Sequence, residues 1–468
     1  MTELSLKGHD RNPPGVSDRV PRPNTSPVPN PSPLASVILL GCPKNQVDAE
    51  HVLGSLNDAG YRITTDVAAS DVVVITTCAF LSSAVRESEG VIARTLELKK
   101  QHPAMRVVVA GCLVERQGAA ALKKRFPDLA LILPLVELPS LPRLLSGSSF
   151  RHSSLDIGHS RVGPRVLSTP PHLAYLRIAD GCKNHCAYCL IPDIRGPLRS
   201  RTIPDVMREA RSLARAGVKE LVIIAQDTTL YGTDIYARPM LAALLKRLAT
   251  VPGVRWLRLM YTHPAHLTED VLDQFATNPK LCRYIDLPLQ HVSDRILERM
   301  RRPYRRADID LVLEQLRAIP DMHIRTTMIV GFPGETAAEF EELITFVRAA
   351  RLDRLSAYAY SPEPGTPAFG LRPRVSAEVK RRRVRRLMLT QAAVSRANLR
   401  RLIGRELDVL VDEPGTGRTE WDAPEVDGTV RITGAKPAPG SMVRAVVTGA
   451  STHDLIARVL PRRPQRID

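Results

Sequence analysis

The sequence contains no apolar run near the roughly 18 residues that a membrane span needs. Its first stretch carries Asp10, Arg11 and several prolines where an export signal would need apolar residues. A cytoplasmic protein with no membrane partner is therefore expected. Cysteine is scarce, with seven in 468 residues. The odd count and spacings unlike a small disulfide scaffold argue against disulfide stapling and for reduced thiols acting as ligands. Acidic residues are outnumbered by Lys and Arg, 49 to 66, giving a net charge of +17, with arginines clustered in RRPYRR (301–306) and KRRRVRR (380–386). Such charge suits a nucleic-acid or ribonucleoprotein partner, but a solvated basic helix face accounts for it equally well.

Six of the seven cysteines form two groups of three: Cys182, Cys186 and Cys189 in GCKNHCAYC, and the dispersed set Cys42, Cys78 and Cys112. Three thiolates hold three corners of an iron-sulfur cluster and leave one iron open, whereas structural zinc is normally closed by four ligands. Zinc at the local run would need His185 as fourth ligand, and its adjacency to Cys186 places it poorly for a tetrahedron. Cys282, alone before a strand, reads as a small core residue.

Residues 1–32 are rich in proline and nearly devoid of apolar periodicity, and read as a disordered tail. From 33 to 143, SVILLGC, DVVVITTC and MRVVVAGC read as buried parallel strands, each ending directly on a cysteine. Carboxyl ends of neighbouring parallel strands share one edge, so thiols about 35 residues apart can converge there. A Ser-, Gly- and Pro-rich linker spans 144–167. Six strand candidates separated by helical patterns follow in 168–398, the pattern of an open, partial (βα)6 barrel. The local cysteine run lies in the loop after its first strand, where barrel active sites are built. Short Val-rich segments in 400–466 read as a small all-β, antiparallel barrel. The fold class is thus α/β with an added small barrel.

CKNHCAYC resembles the CxxxCxxC signature of radical S-adenosylmethionine enzymes. The chain from about 33 to 466 resembles the methylthiotransferases, which join an N-terminal domain with three cysteines, a radical core and an OB-like TRAM barrel. LGCPKNQVDAE, ADGCKNHCAYCLIPDIRGPLRSR, LPLQHVSDRILERMRRP and DAPEVDG resemble the branch that modifies an aspartate of ribosomal protein S-twelve. The tRNA-modifying branches carry a PVQSGS-like segment where this chain has PLQHVSD, and lack the pair Pro43–Lys44; adenosine in tRNA is the alternative substrate.

The resemblance implies insertion of a methylthio group at the aspartate β-carbon, with two 4Fe-4S clusters and S-adenosylmethionine as cofactors. Cys182, Cys186 and Cys189 would hold the cluster that binds S-adenosylmethionine and Cys42, Cys78 and Cys112 an auxiliary, sulfur-carrying one. By their places on strands, Gln226, Asp227, Gln290, His291 and Arg325 are candidate contacts to S-adenosylmethionine. Expected partners are ribosomal protein S-twelve, an electron donor protein and ribosomal RNA. Asp422, Glu425 and Asp427 in DAPEVDG make an acidic stretch expected to contact the basic ribosomal protein.

Overall fold

A computed structural model describes residues 32–146 and 165–461. The expected tail up to residue 31 and the linker over 147–164 lie outside the described residues. The N-terminal unit is a parallel sheet with strand order β2-β1-β3-β4-β5, built from β1 (Leu34–Leu39), β2 (Arg62–Ile63), β3 (Val72–Thr77), β4 (Arg106–Gly111) and β5 (Leu131–Leu133). Val73, Ile75, Val107 and Val109 pack into one face and Val72, Val74 and Val108 into the other. Burial on both faces is why β3 and β4 are continuous apolar runs instead of alternating ones.

The central unit is a six-stranded parallel sheet in sequential order: β6 (Leu173–Arg177), β9 (Glu220–Ile224), β10 (Trp256–Leu259), β11 (Leu281–Asp286), β12 (His323–Val330) and β13 (Arg354–Ala359). A short ribbon, β7 (Ala179–Asp180) with β8 (Arg199–Ser200), flanks the cysteine loop. Alternation along the strands divides the side chains. Leu221, Ile223, Leu257, Leu259 and Ile285 pack in the large helix-covered core, whereas Tyr175, Val222, Ile224, Trp256 and Tyr284 form a separate inner cluster. That inner cluster also contains Val47 from the helix α1 (Pro43–Asp58) and Leu410 and Ala423 from the C-terminal barrel.

The C-terminal unit is a closed five-stranded barrel of β14 (Glu406–Glu413), β15 (Thr416–Arg418), β16 (Val430–Thr433), β17 (Met442–Ala450) and β18 (Leu455–Val459). The antiparallel expectation needs one correction, because β16 and β18 pair in parallel and thereby close the barrel. This unit docks on the amino ends of the central strands through buried ion pairs. Glu220 is shared by Arg258 at 2.7 Å and Arg418 at 2.8 Å, and Arg418 also grips Asp412. Arg354 meets Asp422 at 2.5 Å, and Arg325 meets Asp427 at 2.6 Å.

The expected role of DAPEVDG is therefore corrected. Asp422 is buried against Arg354, and Asp427 accepts hydrogen bonds from Arg325 and from the Tyr284 hydroxyl at 2.6 Å. Glu425 lies 3.4 Å from the Tyr175 hydroxyl. Asp422 and Asp427 neutralise arginines inside the central unit, where an unpaired charge would be costly, whereas Glu425 is exposed. The charge of Asp422 and Asp427 is spent on the fold and is not offered to a basic partner.

Candidate functional site

Cys42 is the residue before α1, with Pro43 at the helix's first position; Cys78 follows β3; Cys112 opens the short helix α3 (Cys112–Gln117) directly after β4. All three stand on the carboxyl edge of one sheet, two of them at helix N-termini, which favour a thiolate. Backbone approach here is tight. Gly41 has φ +100°, and an added Cβ would meet Cys78 Cβ at 2.8 Å; Gly111 has φ +101°, and an added Cβ would meet the Thr77 carbonyl oxygen at 2.8 Å. Only glycine fits both conformation and space. The three thiols lie within electrostatic reach of one another, and burial pushes the Cys112 thiol up to about 11.

Cys182, Cys186 and Cys189 form the loop after β7. Each sulfur receives a donor: Asn184 N–H to Cys182 Sγ at 3.4 Å, Ile191 N–H to Cys189 Sγ at 3.4 Å, and Arg302 Nη1 to Cys186 Sγ at 3.3 Å. Burial raises the Cys182 thiol and pushes the Cys189 thiol up to about 12, so bare sulfur is disfavoured as thiolate without a metal. Donors aimed at sulfur and a partly buried thiol set fit an iron-sulfur cluster, whose sulfurs are tuned by such hydrogen bonds.

One network joins the two triads. Asn45, on α1, donates to the Leu40 and Thr77 carbonyls at 2.8 and 2.9 Å, clamping the ends of β1 and β3 beside their cysteines. Its Oδ1 lies 3.6 Å from Cys112 Sγ and accepts a hydrogen bond from Arg195, which lies on the helix Ile191–Arg195 next to Cys189. Arg195 also binds Asp48 of α1 at 2.9 Å and Asp180 at 3.3 Å, while Arg177 holds Asp48 at 2.7 Å. A second tie is Glu363, which accepts from Ser82 N–H and Oγ and from Arg116 of the N-terminal unit. The N-terminal sheet edge thus faces the carboxyl ends of the central strands, cysteines toward cysteines.

Gln226 donates to Asp180 Oδ1 at 2.9 Å, and its Oε1 is buried without a partner. Asp227 accepts from Asn184 at 2.7 Å, from His266 at 3.0 Å, and from Thr229, so it braces the Cys182 loop. Burial opposes its ionisation, but the His266 and Thr229 hydrogen bonds prevail and hold its carboxyl below the usual range. Gln290 sits at φ +69° with Oε1 buried and unpaired. His291 and Arg325 have other neighbours. His291 is surrounded by Ser293, Glu339 and Arg383 on the helical side, and Arg325 is taken up by Asp427 and Ser356. Among the described residues, the oxygens of Gln226 and Gln290 and the Nε2 atoms of His263 and His291 are buried without a partner, polar atoms of the kind a polar cofactor satisfies.

Sequence reasoning gave Lys44 no role and missed Asn45, Asp180, Arg195, His263 and Arg302. Asn45 and Lys44 lie inside LGCPKNQVDAE, so position beside a ligand cysteine was a usable signal. Arg195 and Arg302 carried none, since their partners come from distant elements.

Comparison with known proteins agrees with this geometry. Residues 176–347 match the Radical SAM superfamily, 35–134 the Uncharacterized protein family UPF0004, and 403–460 the TRAM domain. The fold is similar to that of TsrM, a radical S-adenosylmethionine methyltransferase from Kitasatospora setae solved with tryptophan substrate and a S-adenosylmethionine analog. The TM-score is 0.53 at 16% identity, over 72% of this chain and 75% of that one. The class is therefore a radical S-adenosylmethionine enzyme with an added cysteine-bearing domain and a TRAM barrel. The chain is 42% identical to the ribosomal protein uS12 methylthiotransferase RimO of Desulforudis audaxviator, over 92% of this chain and 97% of that one. It is 41% identical to the RimO of Anaeromyxobacter sp. strain K, over 91% and 93%. The chain belongs to the ribosomal protein uS12 methylthiotransferase family.

Proposed function

We propose that this enzyme replaces a hydrogen on the β-carbon of an aspartate in ribosomal protein uS12 with a methylthio group. The observation that carries this reading is the opposition of two open cysteine triads across one seam, locked together through Asn45 and Arg195. The relatives' names favour uS12 over tRNA as substrate.

Cys182, Cys186 and Cys189 would hold the cluster that binds S-adenosylmethionine, and Cys42, Cys78 and Cys112 the auxiliary one. When bound, these groups supply a hydrogen-abstracting radical on one side and sulfur and methyl on the other. The protein's part is placement. Asn184, Ile191 and Arg302 fix the local sulfurs, α1 and Arg195 keep the two triads in register, and the C-terminal barrel closes the far end of the cavity against water. Such fixed separation is what proximity catalysis requires. Gln226, Asp227 and Gln290 are proposed to line the S-adenosylmethionine site. On the helix Ala377–Arg400, Arg381, Arg382 and Arg385 are exposed and are proposed to meet ribosomal RNA around uS12. An electron donor protein is also proposed.

The test is to incubate the reconstituted, reduced protein with uS12 and, separately, with tRNA, and to read products by mass spectrometry. Modified uS12 supports the reading; a methylthio nucleoside with unmodified uS12 defeats it.

A further inference from the structure

Lys44 lies in the seam between the triads, two residues after Cys42, with 7% of its surface exposed. Its ammonium sits 2.9 Å from the centroid of the Tyr261 ring. Among the described residues no carboxylate forms an ion pair with it. Its strongest through-space partner is the Cys42 sulfur, and the two carboxylates that also act on it are committed to others. Asp286 accepts the Tyr261 N–H at 3.0 Å and faces Arg325 at 3.6 Å. Asp180 accepts from Gln226 at 2.9 Å and is paired with Arg195.

An ammonium on a ring face with no carboxylate paired to it is an incomplete site, because buried charge is normally paired and hydrogen-bonded. The ring beneath it is held at a cost: Tyr261 has φ +59°, a conformation bulky side chains rarely adopt. The N–H bond to Asp286 fixes that conformation and with it the platform. One face of the ammonium meets the ring, and a lysine ammonium has three donors, so donors are left for an incoming anion. The chemistry that completes the site is a carboxylate.

Resting on the function proposed above, we infer that Lys44 binds the side-chain carboxylate of the substrate aspartate and selects it over a neutral isostere. The carbon that reacts is bonded to that carboxylate. Fixing the carboxylate in the seam holds the reacting carbon one bond away, between the triads.

The test compares uS12 with uS12 in which the target aspartate is replaced by asparagine. Binding and kcat/KM are measured for holoenzyme of the native sequence, Lys44→Met and Lys44→Arg, together with iron content and S-adenosylmethionine affinity. The native enzyme is expected to prefer aspartate on the order of a hundredfold, as truncating one partner of a buried charge pair commonly costs. Lys44→Met should erase most of that preference and Lys44→Arg keep most of it. If Lys44→Met slows both substrates equally, the ammonium serves the cluster or the fold and the inference is wrong. Weakened S-adenosylmethionine affinity with unchanged discrimination would mean that the carboxylate belongs to the cofactor, which also overturns it. Should the Met variant fail to fold, equal binding of both uS12 forms by the native enzyme is decisive against Lys44. A native enzyme that modifies neither form would instead overturn the functional reading.

Discussion

Arg195 donates a hydrogen bond to the side-chain oxygen of Asn45, joining the helix that follows one cysteine triad to the helix that begins the other. The same Asn45 amide clamps two strand ends and approaches Cys112. Asn45 therefore controls the dispersed triad and Arg195 its distance from the local one. Asn45→Ala should lose iron from the dispersed triad while the local triad still assembles. Iron and sulfide analysis beside spectroscopy of the Cys42→Ala protein reads this directly; equal loss from both triads would contradict it.

The docking of the C-terminal barrel rests on charges that are mostly buried. Arg418→Met leaves Glu220 with one partner and Asp412 with only His172. Breaking a buried pair from one side costs about 3–5 kcal/mol, and denaturant titration should show a loss of that order. Arg381→Ala, on the exposed face of the basic helix, should leave the midpoint nearly unchanged.

Because the C-terminal unit supplies Leu410, Ala423, a backbone carbonyl to Arg258 and the acids that pair Arg325 and Arg354, the chain cut near residue 400 should not fold as a soluble core. Circular dichroism and light scattering of that fragment check the expectation. A stable, monomeric fragment would show that the interface contributes little.

His291 is fully buried, and burial pushes its pKa down to about 4 from an ordinary 6.5. The native state therefore resists a proton that the unfolded chain accepts. The neutral form's contribution is complete above about pH 6.5 and is lost as pH falls toward 4, amounting to roughly 2 kcal/mol by pH 5. His291→Gln should flatten that part of the stability-pH curve, measured by denaturation at pH 7 and pH 5.

The triads were legible in the sequence because their signal is local: each dispersed cysteine ends an apolar run, and strand ends share an edge whatever the remaining detail. The six βα units and the small barrel were legible for the same reason. Pairing across units was not. Arg325 read as a cofactor contact because its strand was visible and its partner Asp427, 102 positions away, was not. DAPEVDG read as a surface because sequence shows charge without showing the arginines that neutralise it. Lys44 had no periodicity to mark it; only the folded seam reveals an ammonium on a tyrosine ring.

The central claim is that the two triads perform different parts of one reaction on uS12. Its most direct measurement follows S-adenosylmethionine cleavage and the intact mass of uS12 in parallel, for the native enzyme, Cys42→Ala and Cys182→Ala. The account predicts a methylthio gain with the native enzyme, cleavage without sulfur insertion for Cys42→Ala, and neither for Cys182→Ala. Sulfur insertion by Cys42→Ala at the native rate, or loss of cleavage only when Cys42 is replaced, would contradict it.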